Sequence, residues 1–307
     1  MTKKDMKVVF LGTGGSVPTK ERGLPAVWFE WRGHRYLLDC GEGTQRQMRK
    51  AGLPFMKLDK ILITHFHADH CLGLGGLIQT MDLFERTEPL EICGPKGTHD
   101  VIQKVISTGH FVLEGFDLEI TELDPKGIET FFSDNDVTLK CAPLRHSVPC
   151  VGYSIEETHK HKFNREKAIS LGVPEGPLFS QLQAGVDIVL KDGRKIEAKE
   201  VLGPAKVTRK LAYCSDTIPC PEGISLSQDA DLLIHESTLL DELAASADKA
   251  GHSTAKQAAE VAIKANVKEL ILTHFSQRYT DEKVLEKEAK GVFKNSRAAV
   301  DFLEVEI

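Results

Sequence analysis

The chain has 307 residues, 41% of them hydrophobic and 27% charged, with a formal net charge of −6; this mixture supports a large core and excludes disorder along its whole length. No apolar run approaches the roughly 18 residues of a membrane helix, and residues 1–12 hold too short an apolar stretch for a secretory signal. The acidic balance gives no global attraction for nucleic acid, and seven Cys with no Cys-x-x-Cys spacing argue for reduced thiols rather than a disulfide framework.

The run from Met6 to Phe10 is β-rich and ends at Gly12-Thr-Gly-Gly, which predicts a strand and a turn. Residues 27–30 and 35–39 predict two more strands joined at Arg32-Gly33. Residues 43–50 predict a helix entered from the Gly41-Glu-Gly turn. Further helices are expected over 76–85, 254–265 and 281–293. Five short apolar strands each run into a polar residue of catalytic type. They end at His65, at His146, at Asp216, at His235-Glu236 and at His274. Buried strands followed by such loops gather side chains along one rim of a sheet. Strands interleaved with helices in both halves imply a layered α/β architecture. Residues 151–210 differ, with eleven Lys or Arg against eight Asp or Glu, and contain Gly172-Val-Pro-Glu-Gly-Pro. On composition alone this segment is a solvated insertion.

Thr64-His-Phe-His-Ala-Asp-His70 is a chelating run. Imidazole and carboxylate suit Zn²⁺, although Mn²⁺, Fe²⁺ or Co²⁺ would also be accepted. In a loop, His65 and His67 can turn to one metal while Asp69 and His70 face a second. A two-metal centre needs further ligands and a bridging carboxylate. The strand-end residues His146, Asp216 and His274 are the candidates.

His-x-His-x-Asp-His followed by a distant His, an Asp and a His resembles the metallo-β-lactamase superfamily, over almost the whole chain. The resemblance implies an αβ/βα four-layer sandwich with a dinuclear metal site along one edge. It implies that His65, His67 and His146 bind one zinc, that Asp69, His70 and His274 bind the other, and that Asp216 bridges them. Asp39 is then a support for the His loop, not a ligand. Smaller motifs narrow the choice: Phe10-Leu-Gly-Thr-Gly-Gly, Leu38-Asp-Cys-Gly-Glu-Gly-Thr-Gln, Cys214-Ser-Asp-Thr, His235-Glu-Ser-Thr, Gly251-His-Ser-Thr-Ala and Thr273-His-Phe-Ser-Gln-Arg-Tyr. Together they are similar to the short form of the ribonuclease Z (tRNase Z) family.

That resemblance implies a zinc-dependent endonuclease that removes the 3′ trailer from precursor tRNA, leaving a 3′-hydroxyl on the tRNA and a 5′-phosphate on the trailer. Asp69 is expected as general base, and His252 with Glu236 as proton donor pair. Arg278 is expected to meet a backbone phosphate. Residues 172–177 are similar to the family's flexible tRNA-binding arm, so residues 1–307 are expected as one domain with an arm inserted at about 151–205, and Gly176 and Pro177 as substrate contacts. Pro18-Thr-Lys-Glu-Arg-Gly23 resembles the family's Pro-x-Lys-x-Arg-Asn loop, implicated in sensing the CCA end, which makes Lys20 and Arg22 further contacts. Gly23 departs from the family's Asn. The expected partners are precursor tRNA and a second copy of the chain, in a cytoplasmic homodimer without DNA or membrane. His34, His99, His110, His159 and His161 are expected at the surface. The competing reading is a superfamily phosphodiesterase or arylsulfatase acting on small substrates.

Overall fold

The structure, a computed structural model, describes residues 6–108, 110–158, 163–203 and 209–307. Two seven-stranded sheets dominate it. The first runs, edge to edge, Glu304–Glu306, Lys7–Gly12, Ala26–Trp31, His34–Leu38, Lys60–Leu62, Leu90–Pro95 and Leu118–Leu123. Its first four strands pair antiparallel, and the rest add in parallel. The second runs Ser296–Ala298, Glu269–Thr273, Leu232–Glu236, Lys210–Cys214, Cys150–Glu157, Val137–Leu144 and Glu129–Ser133. Its first four strands are parallel.

Each sheet buries side chains on both faces, as parallel strands between layers must. On one face of the first sheet, Val9, Leu11, Trp28, Leu37, Ile61 and Ile92 pack with Met48, Leu74, Leu77, Ile78 and Ile102 from helices. On the second, Ala212, Leu233, Leu270 and Leu272 pack against Ala255, Ala258, Ala259, Ala262, Leu285 and Ala289. The remaining faces meet each other. Tyr213 of the second sheet donates its hydroxyl to Asp39 of the first at 2.9 Å, and the Tyr153 hydroxyl reaches the Ile63 carbonyl at 2.6 Å. The result is the helix–sheet–sheet–helix sandwich expected from the sequence.

The helix Ala255–Lys264 shows how local sequence fixes an element. Thr254 caps it, accepting from Gln257 N–H at 3.1 Å, while the Gln257 side chain accepts from Thr254 N–H at 2.8 Å. This capping box satisfies two otherwise orphaned donors. Alanines on the buried face let the helix lie close on the sheet. Because Thr254 caps, His252 is left free of that duty.

By contacts the chain divides into two units. The larger holds Met1–Phe131, Leu139–Ile155 and Lys210–Ile307; the smaller holds Phe132–Thr138 and Glu156–Arg209. The arm boundary expected at residue 151 therefore falls too early. Cys150–Glu157 is a sheet strand, buried from Cys150 to Ile155, and the basic composition that suggested an insertion starts only beyond it. The smaller unit has a core of its own, including Ala168, Val173, Leu182, Ile188, Leu190, Ile196 and Val201. No helix among the described residues is long and apolar enough to cross a membrane.

Candidate metal centre

The strand Lys60–Leu62 delivers the His-rich run to one end of its sheet, and Asp39 holds it there. Asp39 Oδ1 accepts from both N–H and Oγ1 of Thr64, at 2.8 and 2.9 Å. Its Oδ2 accepts from His70 Nδ1 at 2.9 Å and from Tyr213. Every bond of this carboxylate is spent beneath the loop, so it acts on the site through His70. Asp39 and His274 both have left-handed backbones, with φ of 57° and 60°. Such conformations are uncommon away from glycine and gather at functional sites.

The seven candidate ligands converge in the larger unit. His65 Nε2 and His146 Nε2 each lie 3.1 Å from His67 Nδ1. Asp216 Oδ2 faces this trio, 3.6 Å from His65 and 3.8 Å from His146. Its other oxygen faces the opposite way, 3.4 Å from His70 Nε2 and 3.2 Å from His274 Nε2. Asp69 Oδ2 closes the second group, 3.5 Å from His70 and 3.4 Å from His274. Two groups of potential metal ligands thus meet at one carboxylate, and Asp216, His252 and His274 form a third such group among the described residues.

The hydrogen bonds test whether a cation fits. His146 Nδ1 lies 2.7 Å from the Gly251 carbonyl, and His70 Nδ1 faces the Asp39 carboxylate. Neither partner can donate, so both rings carry a proton on Nδ1 and turn Nε2 inward as the atom left for a cation. Lone pairs and carboxylates crowded this closely repel unless positive charge lies among them. Burial, with the neighbouring charge of His70, drives His65 down to about 2. For His70 burial acts downward too, but the Asp216 and Asp39 carboxylates outweigh it and raise the ring well above its ordinary value. Asp216 is wholly buried, which favours its neutral form, yet His274 and His70 hold it well below the usual carboxylate range. The field that draws a proton here would draw a divalent cation. The mixed imidazole–carboxylate donors suit zinc or a similar ion.

Beside the cage stands an acid pair. Glu236, wholly buried at the end of Leu232–Glu236, lies 3.0 Å from His252 Nδ1 and also accepts from Thr217 N–H at 2.8 Å. Burial lowers His252, but Glu236 more than compensates and raises it to about 9. The Glu236 carboxylate thus favours the protonated form of the ring.

Residues 6–181 match the family described as Anti-Pycsar protein Apyc1, and residues 189–275 match the Beta-lactamase superfamily domain. Relatives named Ribonuclease Z span the chain. A Ribonuclease Z of Methanosarcina acetivorans is 43% identical over 304 residues, covering 98% of both chains. One from Methanothermobacter thermautotrophicus is 45% identical over 305 residues, covering 98% of this chain and 97% of its own.

The chain belongs to the ribonuclease Z family.

The crystal structure of human tRNase Z, short form, is similar at a TM-score of 0.71 and 31% identity, with 98% of each chain covered.

Within the ribonuclease Z frame the expected substrate contacts divide. Lys20 and Arg278 are exposed. Lys20 lines a cleft of about 310 Å³ with Arg46 and Lys50. Arg22 is corrected by the structure: it is 7% exposed, and its guanidinium is committed to the Tyr279 carbonyl at 2.6 Å and Glu282 at 2.9 Å. It braces the 18–23 loop against the segment carrying Arg278 and is not free to meet RNA. Gly176 and Pro177 are exposed at the start of the helix Pro177–Gln183 in the smaller unit. There the described cations are mostly paired: Arg165 with Glu175, Arg194 with Asp192, Lys195 with Asp187 and Lys199 with Glu197. Lys160, Lys162, His159 and His161 lie outside the described residues. His99 and His110 are exposed, His34 is half-buried against Tyr36, and His235 is buried with Nδ1 on the Glu236 carbonyl.

Four residues escaped the sequence reading. Gly15 lies against the His274 ring, Ser16 N–H donates to Asp69 Oδ2 at 2.7 Å, Thr238 sits between His274 and Glu236, and Asp301 anchors the 13–23 segment. Gly15 and Thr238 lie inside motifs that had drawn notice, but for other members of them. Ser16 acts through its backbone, and Asp301 reaches the segment from the far end of the chain, so neither leaves a local signal.

Proposed function

We propose that this chain is the endonuclease that removes the 3′ trailer from precursor tRNA, working with two zinc ions per subunit. The observation that carries the reading is the double ligand set joined at Asp216 beside the Glu236–His252 pair, in a chain 43% identical end to end to a Ribonuclease Z. His65, His67 and His146 would hold one ion and Asp69, His70 and His274 the other, with Asp216 shared. Such ions, when bound, acidify a water and spread positive charge over the phosphoryl oxygens.

The chain's own groups handle the protons. Asp69 takes one from the attacking water, oriented by the Ser16 N–H on its Oδ2. His252 gives one to the departing 3′-oxygen, and Glu236 holds the ring and stabilises its charged form. Attack on phosphorus displaces the 3′-oxygen, so the tRNA keeps a 3′-hydroxyl and the trailer a 5′-phosphate. Arg278, exposed, pairs with a backbone phosphate. The smaller unit grips the tRNA body, and we infer a cytoplasmic homodimer in which one subunit's arm serves its partner's site.

End-labelled precursor tRNA, mapped with and without a chelator, tests the reading. Cleavage is expected just 3′ of the unpaired nucleotide after the acceptor stem, abolished by the chelator. A 2′,3′-cyclic phosphate product would mean that the ribose 2′-hydroxyl attacked, and would overturn the mechanism. Faster turnover of bis(p-nitrophenyl) phosphate than of precursor tRNA would favour a small-substrate phosphodiesterase instead.

A further inference from the structure

One oxygen atom touches three working side chains. Thr238 Oγ1 lies 2.6 Å from Glu236 Oε2, 2.9 Å from His274 Nδ1 and 3.3 Å from His252 Nδ1. Thr238 itself is 8% exposed, and Glu236 and His274 are buried. A hydroxyl has a single proton, so its direction is decided by which neighbour can only accept. A carboxylate oxygen at 2.6 Å can only accept, and two bare oxygens would repel at that distance. The Thr238 proton therefore goes to Glu236.

The rest follows from that assignment. Oγ1 must act as acceptor towards His274, so His274 carries its proton on Nδ1. Its Nε2 is then the atom left to face Asp216 and Asp69, 3.2 and 3.4 Å away, where a bound cation would take its lone pair. This is the tautomer a metal ligand needs. The other side of the hydroxyl steadies Glu236, which receives the Thr238 N–H at 3.2 Å as well and holds His252 with its second oxygen. The rings of His252 and His274 stack at 5.5 Å with an interplanar angle of 23°.

We propose that Thr238 is a positioning residue whose one hydroxyl couples the metal-ligand ring of His274 to the proton-donating pair Glu236–His252. The inference rests on the proton-donor reading of His252 given above. Its metal side stands without any assumption about the substrate.

Thr238→Val keeps the shape and removes the hydroxyl; Thr238→Ser keeps the hydroxyl. Zinc affinity, read by competition with a chelator, should fall about 10–100-fold in Thr238→Val, the usual cost of losing a ligand's outer partner, and recover in Thr238→Ser. At saturating zinc, kcat on precursor tRNA should fall about tenfold or more with KM unchanged. It should fall less on bis(p-nitrophenyl) phosphate, because p-nitrophenolate leaves without needing a proton. Wild-type zinc affinity in Thr238→Val, an equal loss on both substrates, or no recovery with Ser would each overturn the coupling. Should the Val variant fail to fold, long-range ¹H–¹⁵N spectra of the metal-free wild type decide. The resonance that disappears in His274→Gln must show the Nδ1–H tautomer, and the Nε2–H form would sink the proposal. If wild-type protein leaves precursor tRNA uncut while Thr238→Val still loses zinc, the substrate reading fails and the metal half of this inference stands.

Discussion

At Gly15, beside the cage, a side chain of any size is excluded. A Cβ built there would stand 2.5 Å from His274 Cε1 and 2.6 Å from its Nδ1. The ring has nowhere to retreat, because Thr238 holds its far edge and Asp216 and His70 its near one. Gly15→Ala should therefore displace His274, lower zinc affinity at least tenfold and reduce turnover on every substrate, while leaving the fold intact. Wild-type zinc affinity in that variant would show that the ring can shift freely. The same contrast explains what could be read from sequence at this scale. His65, His67, Asp69 and His70 are legible because chelating atoms stand within six residues. Gly15 acts by lacking a side chain, Ser16 by its N–H and Thr238 through partners at 236 and 274, so their roles depend on the fold.

At the scale of elements, the segment 13–23 gains its shape from a residue nearly three hundred positions away. Asp301 Oδ1 accepts from Thr13 N–H and Oγ1 at 3.0 and 2.8 Å; Oδ2 accepts from Gly23 N–H at 2.7 Å and Gln47 Nε2 at 2.9 Å. That segment carries Gly15 against His274 and Ser16 against Asp69. In Asp301→Asn one oxygen becomes an NH₂ that meets a backbone N–H head-on, of Thr13 or of Gly23. The cost is about 1–3 kcal/mol for groups left without an acceptor, a fall of several degrees in Tm by calorimetry, with weaker zinc binding alongside. An unchanged Tm would remove Asp301 from this role. Strands feeding the site were predictable, because apolar runs such as those before His65 and His274 are buried on both faces. Leu118–Leu123 and Glu129–Ser133 were not, since their mixed, largely unburied residues carry no hydrophobic pattern. Helix Thr98–Ile106 was missed as well: only Thr98 and Ile102 are buried in it.

At the scale of the whole molecule, the candidate metal centre and the proposed tRNA-gripping arm separate along the chain. None of the seven candidate ligands, nor Glu236, Thr238 or His252, lies within 158–208, and the smaller unit holds its own apolar core. The segment also leaves and returns at one place, since Glu157 N–H donates to the Arg209 carbonyl at 2.9 Å. Residues 158–208 can thus be replaced by a short Gly-Ser bridge without stretching the strand ends. The excised protein should bind zinc and hydrolyse bis(p-nitrophenyl) phosphate as the full chain does. Its affinity for precursor tRNA should fall strongly. Cations that neutralise phosphates release counterions, so the salt dependence should flatten by about one unit of slope for each phosphate that the arm no longer neutralises. Ion pairing within the smaller unit limits that number. Lys167 and Lys191 have no ion pair among the described residues, whereas Arg165, Arg194, Lys195 and Lys199 each face a carboxylate. Charge reversal at Lys167 and Lys191 should therefore weaken tRNA binding more than reversal at Lys195 and Lys199, in filter-binding titrations across a salt series. Loss of phosphodiester hydrolysis with zinc still bound in the excised protein would make the arm part of the catalytic core and end this division of labour.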